Sequence, residues 1–289
     1  MSRPAPEALQ ALLALRLAAG RRAAGVFRVL ATHPAPEGLV AELGRTLAAT
    51  YHRAAADELR ALALMDITIV PVWRLPPRLS RAWPTPAALF VRGDPRLLER
   101  PALAVVGARH AHPTAMRFAF DRGRDAAGAS MVLVSGGARG VDSAAHRGAL
   151  EAGGVSLAYL GVAADRVYPA ANAGLFRKIL ATGGALVSEH PPGPTTFKGE
   201  HAMRNRLIAA HGAAVVIVEA GESSGTLVTA AFAKKLETPV WVSPEGVGAE
   251  RAGIVALTRE GAAAVWRGID ACALTRLRDV VRGAEVLDE

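Results

Sequence analysis

A single cysteine, Cys272, occurs among the 289 residues, so the chain cannot form an internal disulfide. Such sparing use of cysteine fits a reducing cytosol. No apolar run reaches the length of a membrane span, and the periodic N-terminal segment carries Glu7 and Arg16. We therefore expect a soluble, cytoplasmic protein with no targeting segment and no membrane contact.

Recognisable catalytic and metal-binding patterns are also scarce. The eight histidines show no HExxH spacing, and the sequence contains neither a GxxxxGK[ST] loop nor a GxGxxG fingerprint. Asp142 and His146 are four positions apart and share a helix face, but no nucleophile stands at a fixed spacing from them. We expect no catalytic residue, no metal and no cofactor.

Aromatic residues make up only 5% of the chain, whereas the net charge is +8. Residues 1–100 contain 14 arginines and eight acidic residues. A basic chain suggests an anionic partner such as nucleic acid, although an arginine-rich proteome explains the composition equally well. The few tryptophans are predicted to pack in the core or in a linker. They are Trp73, Trp83, Trp241 and Trp266.

Composition and periodicity divide the chain into four segments. Residues 1–65 show apolar positions at helical spacing and predict a small helical domain. Residues 66–100 are rich in proline and predict a linker that ends in a short strand. Residues 101–270 alternate between strand-like and helix-like runs, and residues 271–289 form a charged helical tail.

The alternating segment predicts an α/β fold. Continuous runs of Val, Leu, Ile and Ala, separated by helices, are typical of a mostly parallel sheet with helices on both faces. The strand candidates are 103–106, 131–134, 155–160, 185–188, 214–219 and 239–243. The helix candidates between them are 114–127, 141–152, 172–182, 203–211 and 225–236.

One junction between a strand and a helix carries the strongest ligand signal. The apolar run 131–134 ends at Ser135, Gly136 and Gly137, and a helical segment begins shortly after Arg139. Such a junction lets backbone N–H groups approach a phosphate, and the helix N-terminus adds a favourable dipole. We expect these N–H groups to hold a phosphate beside Arg139. A tight turn that simply requires glycine is the alternative.

Ligands of open α/β sheets bind at the carboxyl ends of the strands. Gly107, Ala108 and Arg109 follow the first strand of this sheet. Arg109 is therefore expected to project over the same edge as Arg139, and the polar strand ends predict one shared site.

A second basic segment, residues 198–206, contains Lys198, Arg204, Asn205 and Arg206. Residues two apart on a helix face different directions. One of the two arginines is therefore expected to meet phosphate while the other pairs with a carboxylate. Two solvated surface arginines are the alternative. The candidate carboxylates are Glu189 and Glu219.

Taken together, these motifs resemble the DNA-processing protein A family (DprA, also called Smf). The similarity covers most of the chain. The residues that carry it are 90–94, 103–109, 135–146, Tyr168-Pro169 with Asn172, Ser188-Glu189, Arg204-Asn205-Arg206 and 224–229.

The resemblance implies an extended Rossmann-like domain that binds single-stranded DNA in a basic pocket. It also implies a homodimer and delivery of the RecA recombinase onto incoming DNA during natural transformation. Residues 1–65 would correspond to the family's sterile-alpha-motif-like domain. The nucleic-acid-binding residues expected on all these grounds are Gly107, Ala108, Arg109, Ser135, Gly136, Gly137, Arg139, Lys198, His201, Arg204, Asn205 and Arg206.

The sequence departs from the family pattern at several positions. Ala108 replaces a usual Ser, and His201-Ala202 replaces a usual Phe-Pro, so a base-stacking aromatic is missing there unless Phe197 or His201 substitutes for it. We also expect no C-terminal winged-helix domain.

Two other functions remain open at this point. The first is a nucleotide sensor or a phosphoribohydrolase on a related Rossmann-like fold. Hydrolysis is disfavoured, because the stretch 224–229 lacks the glutamate of the phosphoribohydrolase loop. The second is a divergent paralogue that is kept for protein contacts alone.

Overall fold

The structure is a computed structural model that describes residues 4–19, 35–192, 199–249 and 251–266, together with positions 30, 33, 274 and 279. The helices are α1 (Pro6–Ala19), α2 (Pro36–Arg45), α3 (Ala49–Leu64), α4 (Pro77–Ser80), α5 (Pro113–Gly128), α6 (Val141–Glu151), α7 (Ala173–Ala181), α8 (Glu200–His211), α9 (Thr226–Lys235) and α10 (Ala252–Arg259). The strands are β1 (Ile67–Pro71), β2 (Ala88–Gly93), β3 (Ala102–Gly107), β4 (Val132–Ser135), β5 (Ser156–Tyr159), β6 (Ala185–Ser188), β7 (Gly212–Val218), β8 (Val240–Val242) and β9 (Ala264–Val265). Short 3₁₀ turns lie at Val72–Arg74, Pro95–Glu99 and Ala170–Asn172.

The nine strands form one sheet in the order β1-β2-β6-β5-β4-β3-β7-β8-β9. In this order, all neighbouring strands from β6 through β5, β4, β3, β7 and β8 to β9 pair in parallel. At the other edge, β1 pairs antiparallel with β2, and β2 pairs antiparallel with β6. The α/β fold class is therefore confirmed, and the six strand candidates agree with β3 to β8 to within two residues at each end. The residues from Ala102 to Val105 in the central strand β3 are fully buried, which explains why this run is continuously apolar.

Of the prediction for residues 66–100, the short strand at its end is confirmed as β2 and the linker before it is wrong. This segment contributes β1 and β2, and β2 pairs with β6 through Phe90 opposite Ser188. Apolar side chains drive the pairing, since Ile69, Leu89 and Phe90 are buried. The prolines that suggested a linker stand at turns and strand ends, as Pro71 does at the end of an edge strand.

The N-terminal helices pack against the same core as the sheet. Leu12 and Val40 are buried in one cluster with Ile69 and Leu89. The first helical segment is therefore joined to the sheet by shared apolar burial. The proposed tail over 271–289 lies outside the described residues, apart from positions 274 and 279.

The prediction that the tryptophans pack in the core or in a linker is correct for Trp266, which lies in the core, whereas Trp83 is largely exposed to solvent. Trp266 is 2% exposed and stands edge-on to Trp241, with ring centroids 5.5 Å apart. Trp83 lies in the turn before β2 and is 58% exposed. None of the described helices has both the length and the apolar character that a membrane crossing requires.

Close packing of α5 against α6 depends on a helix position without a side chain. A Cβ atom at Gly148 would lie 1.9 Å from the carbonyl oxygen of Phe120, whereas one at Gly38 would meet nothing within 4 Å. We expect Gly148→Ala to lower the free energy of unfolding by about 1–3 kcal/mol through overpacking. Gly38→Ala, also in a helix, should raise it by roughly 0.5–1 kcal/mol. Urea denaturation measures both, and equal effects of the two variants would contradict this packing.

Candidate functional site

The carboxyl ends of β3, β4 and β5 surround a cavity of about 330 Å³. The residues that line it come from the loops after these strands and from the first two turns of α8. They are Arg109, Gly136, Ala138, Arg139, Gly161, Tyr168, Pro169, Ala171, His201 and Arg204. The structure thus brings together five of the expected site residues at one sheet edge, as the strand-end pattern predicted. They are Arg109, Gly136, Arg139, His201 and Arg204.

Two glycines after the strand ends leave space for side chains of α8. A Cβ atom at Gly136 would lie 2.7 Å from Nη2 of Arg204, and one at Gly161 would lie 2.3 Å from Nδ1 of His201. Glycine is therefore required at both positions so that the Arg204 and His201 side chains can reach the cavity.

The carboxylate of Asp142 occupies the turn that was expected to hold a phosphate. Its Oδ2 accepts hydrogen bonds from the N–H groups of Gly136 at 3.1 Å and Ala138 at 3.2 Å. The hydroxyl of Ser135 is fully buried and donates to the carbonyl of Val105 at 2.6 Å. The expectation of a phosphate on these backbone N–H groups is therefore corrected for Gly136, because its N–H already bonds to Asp142.

Burial and charge act in opposite directions on Asp142. Burial raises the pKa of this carboxyl, while the nearby Arg204 guanidinium and the two N–H donors lower it. A buried carboxylate needs such partners, because an uncompensated charge in the interior is costly.

Arg204 lies between the Asp142 turn and the cavity. It is 8% exposed, and its Nη1 donates to the carbonyl of Gly136 at 2.8 Å and to the carbonyl of Tyr159. Burial lowers its pKa to about 10, against the opposing effect of Asp142. The guanidinium therefore keeps its positive charge at neutral pH and presents it to the cavity wall.

The prediction that one of the two arginines of α8 pairs with a carboxylate is confirmed, and that arginine is Arg206. Arg206 is 3% exposed and forms a two-pronged ion pair with Glu189, with Nη1–Oε2 at 2.6 Å and Nη2–Oε1 at 2.5 Å. The inclusion of Arg206 among the nucleic-acid contacts is therefore corrected, because its guanidinium is committed to Glu189. Asn205 accepts a hydrogen bond from Nε of Arg204 at 3.1 Å and so helps to orient that side chain.

Gly107, Ala108 and Gly137 were also expected at the site and do not line the cavity. Ala108 uses its backbone N–H on the carbonyl of Glu219 at 3.0 Å. Gly107 and Gly137 shape the backbone, since a Cβ at Gly107 would lie 1.9 Å from the Val218 carbonyl. Lys198 lies outside the described residues.

The loop that carries Arg109 is held from below by Glu219. This carboxylate is 2% exposed and accepts from the N–H of His112 at 2.7 Å and from the N–H of Ala249 at 2.9 Å. Glu219 therefore ties the loop after β3 to the loop after β8, while the carboxylate that pairs with Arg206 is Glu189.

Tyr168 is a cavity residue that the sequence reasoning missed as a site residue. Its ring stacks on His201, with centroids 5.2 Å apart and planes 30° apart, and the residue is 51% exposed. Burial and the neighbouring Arg204, Arg109 and His190 lower the pKa of His201, so the His201 ring is neutral at physiological pH. The signal for Tyr168 was present in the Tyr-Pro-x-x-Asn motif, where Asn172 donates to the carbonyls of the Gly137 turn.

Asp142 and His146 do not form an accessible acid–base pair. His146 is fully buried, with Nδ1 2.5 Å from the Ser156 hydroxyl, and burial lowers its pKa to about 3. Among the described residues, no group of three or more His, Cys, Asp or Glu side chains is arranged to hold a metal ion.

Comparison with known proteins identifies the family. The family model described as DNA recombination-mediator protein A matches residues 67–275. A DNA processing protein DprA of Mycobacterium tuberculosis is 40% identical over 189 residues, which cover 64% of this chain and 48% of that protein. The DNA processing protein DprA of Streptococcus pneumoniae is 33% identical over 196 residues, or 68% of this chain and 69% of that protein. This chain thus spans about half the length of the first of these relatives.

Two solved structures share the fold at 26% sequence identity. The X-ray structure of DprA from Streptococcus pneumoniae superposes with a TM-score of 0.66 and covers 90% of this chain and 89% of that one. DNA processing protein A from Helicobacter pylori, described for its single-stranded DNA binding mode, superposes with a TM-score of 0.64 and covers 76% of this chain and 97% of that one.

Two buried histidines make the stability dependent on pH. Burial lowers the pKa of His146 to about 3 and that of His211 to about 4, against about 6.5 in an unfolded chain. Between these values the unfolded state binds protons that the folded state does not, so stability is lost as pH falls below 6.5. The loss should approach about 1.4 kcal/mol per pH unit for each histidine.

Urea denaturation at several pH values between 4 and 6.5 measures this slope. His146→Asn should reduce the slope by about 1.4 kcal/mol per pH unit, because one proton fewer is taken up on unfolding. An unchanged slope in this variant would show that His146 is not held neutral in the folded protein.

Proposed function

Because the chain belongs to the DNA recombination-mediator protein A family, we propose that it binds single-stranded DNA in the cavity at the carboxyl ends of β3, β4 and β5. The observation that carries this proposal is the combination of three arginines and an exposed aromatic stack in one cavity. The proposed activity is binding and not catalysis. The proposed location is the cytoplasm.

The charges of the cavity suit a phosphate backbone. Arg109 and Arg139 are exposed at its mouth, and Arg204 supplies a buried positive charge behind them. None of the residues that line the cavity is acidic. Guanidinium groups bind phosphate oxygens without reading the base sequence, so the proposed binding is largely independent of sequence.

The aromatic pair gives the cavity a place for a base. The ring of Tyr168 is supported by His201 and half exposed. Stacking of a base on an aromatic side chain is worth about 1–3 kcal/mol and accepts any base. Exposed, unstacked bases occur in single strands, so this feature favours single-stranded over double-stranded DNA.

We extend the proposal to the roles that the family resemblance implies. The protein would protect incoming DNA, load RecA onto it and act as a homodimer during recombination. The similarity to the DprA proteins supports these roles. The cavity itself supports only the binding of DNA.

The nucleotide sensor and the phosphoribohydrolase gain no support from the cavity. The residues that line it include none from the stretch 224–229, where Ser224 instead accepts a hydrogen bond from the N–H of Thr226 at the start of α9. This is a local serine turn that precedes α9.

The double variant Arg109→Ala/Arg139→Ala should weaken DNA binding and reduce its dependence on salt. Each lost phosphate contact lowers the slope of log K against log salt by about 0.7 for a single strand, so two contacts lower it by about 1.4. Fluorescence anisotropy of a labelled strand of about 20 nucleotides, measured across a salt series, gives this slope.

A matched control removes the same net charge elsewhere. Arg53 and Arg147 are exposed on α3 and α6, away from the cavity. Arg53→Ala/Arg147→Ala should leave the slope close to that of the wild type. Equal slopes for the two double variants would place the DNA outside the cavity.

Tyr168→Ala should weaken binding through loss of base stacking, while Tyr168→Phe retains it. The expected loss is about fivefold or more, from the stacking energy of about 1–3 kcal/mol per base. A strand with tetrahydrofuran abasic residues separates base from phosphate contacts. With strands of about 5 nucleotides, the wild type should bind the abasic strand more weakly than the ordinary strand, and Tyr168→Ala should bind both alike. A wild type that does not distinguish the two strands would refute the stacking role.

A further inference from the structure

A second basic and aromatic surface lies away from the cavity. The 27 residues between Asp66 and Asp94 contain four arginines and no acidic residue. The turn before β2, within this segment, carries Trp83, which is 58% exposed. Among the four tryptophans it alone extends mainly into solvent, where a large apolar side chain gains nothing from folding.

Two segments that carry basic side chains are in contact next to this turn. Nη2 of Arg81 donates to the carbonyl of Leu236 at 3.0 Å, directly after α9. The last turn of α9 carries Lys234 and Lys235, both exposed, and one acidic residue, Glu237, follows. Cations stabilise a helix C-terminus, but three of them beside an exposed indole also form a positively charged surface.

A side chain of α8, Arg206, holds the backbone of this turn. Nε of Arg206 donates to the carbonyl of Pro84 at 2.8 Å, and the same guanidinium is paired with Glu189. The backbone next to Trp83 is therefore fixed to α8 while the indole remains in solvent. An exposed aromatic ring on a fixed backbone loses little entropy when a base stacks on it.

We propose that Arg81, Trp83, Lys234 and Lys235, here called the Trp83 face, form a second contact for single-stranded DNA. This inference rests on the function proposed above. A base would stack on the indole while the three cations meet the adjoining phosphates, which is the combination that single-strand-binding proteins use.

The path between the two contacts runs across α8. Arg204 lines the cavity and Arg206 holds the Trp83 turn. Residues two apart are about 200° apart around a helix of about 10 Å diameter, so the cavity and the Trp83 face lie on opposite sides of α8. A strand that leaves the cavity therefore has to pass over this helix, and only a long strand reaches both contacts.

Strand length and tryptophan fluorescence test this proposal. Binding of strands of about 5 and about 20 nucleotides is compared for the wild type, Trp83→Ala and Trp83→Phe. Leu64→Ala, which removes a 90% exposed apolar side chain from α3, serves as the surface control. The difference in fluorescence between the wild type and Trp83→Phe isolates the signal of Trp83.

We expect Trp83→Ala to weaken binding of the long strand about fivefold or more and to leave the short strand unchanged. Trp83→Phe and Leu64→Ala should resemble the wild type, and the long strand alone should quench Trp83. Unchanged binding of the long strand by Trp83→Ala, equal losses for both lengths, or no quenching of Trp83 would overturn the second contact. A wild type that binds neither strand would instead refute the function proposed above.

Discussion

The hydrogen bonds from the Gly136 and Ala138 N–H groups to Asp142 are the constraint on which the rest of the site depends. In many Rossmann-like folds, backbone donors at this strand–helix junction hold a phosphate. Here a carboxylate of the same chain takes that place. Its negative charge supports the buried Arg204, which in turn binds the carbonyls of Gly136 and Tyr159. The proposed binding of an anion therefore falls to the arginine side chains around the cavity and not to these backbone groups.

The same principle recurs around the cavity. Glu219 accepts from the N–H groups of two loops and fixes the loop of Arg109, while Glu189 satisfies Arg206. The buried charged groups thus stabilise the loops and α8 around the cavity. The exposed Arg109 and Arg139 have the charge that the proposed anionic partner requires. Breaking one partner of such a buried pair costs about 3–5 kcal/mol, because the other charge stays behind in the interior. These buried ion pairs and hydrogen bonds therefore fix the positions of the elements that line the cavity.

Features that follow from local pattern were predictable from the sequence. The parallel strands appear as continuous apolar runs, and the alternation of strands and helices indicates the layered sheet. The different directions of the Arg204 and Arg206 side chains follow from helix geometry. The donors that Asp142 satisfies could not be predicted, since a Gly-rich turn looks the same whether a phosphate or a carboxylate fills it. The proline-rich segment was misjudged because pairing of β2 with β6 joins residues nearly a hundred positions apart, and no local signal encodes that contact.

A crystal structure with a short single strand tests the central claim most directly. The account predicts phosphate oxygens within hydrogen-bond distance of the Arg109 and Arg139 guanidinium groups. The N–H groups of Gly136 and Ala138 should remain bonded to Asp142. A phosphate bound to those two N–H groups, with the Asp142 carboxylate displaced, would contradict it.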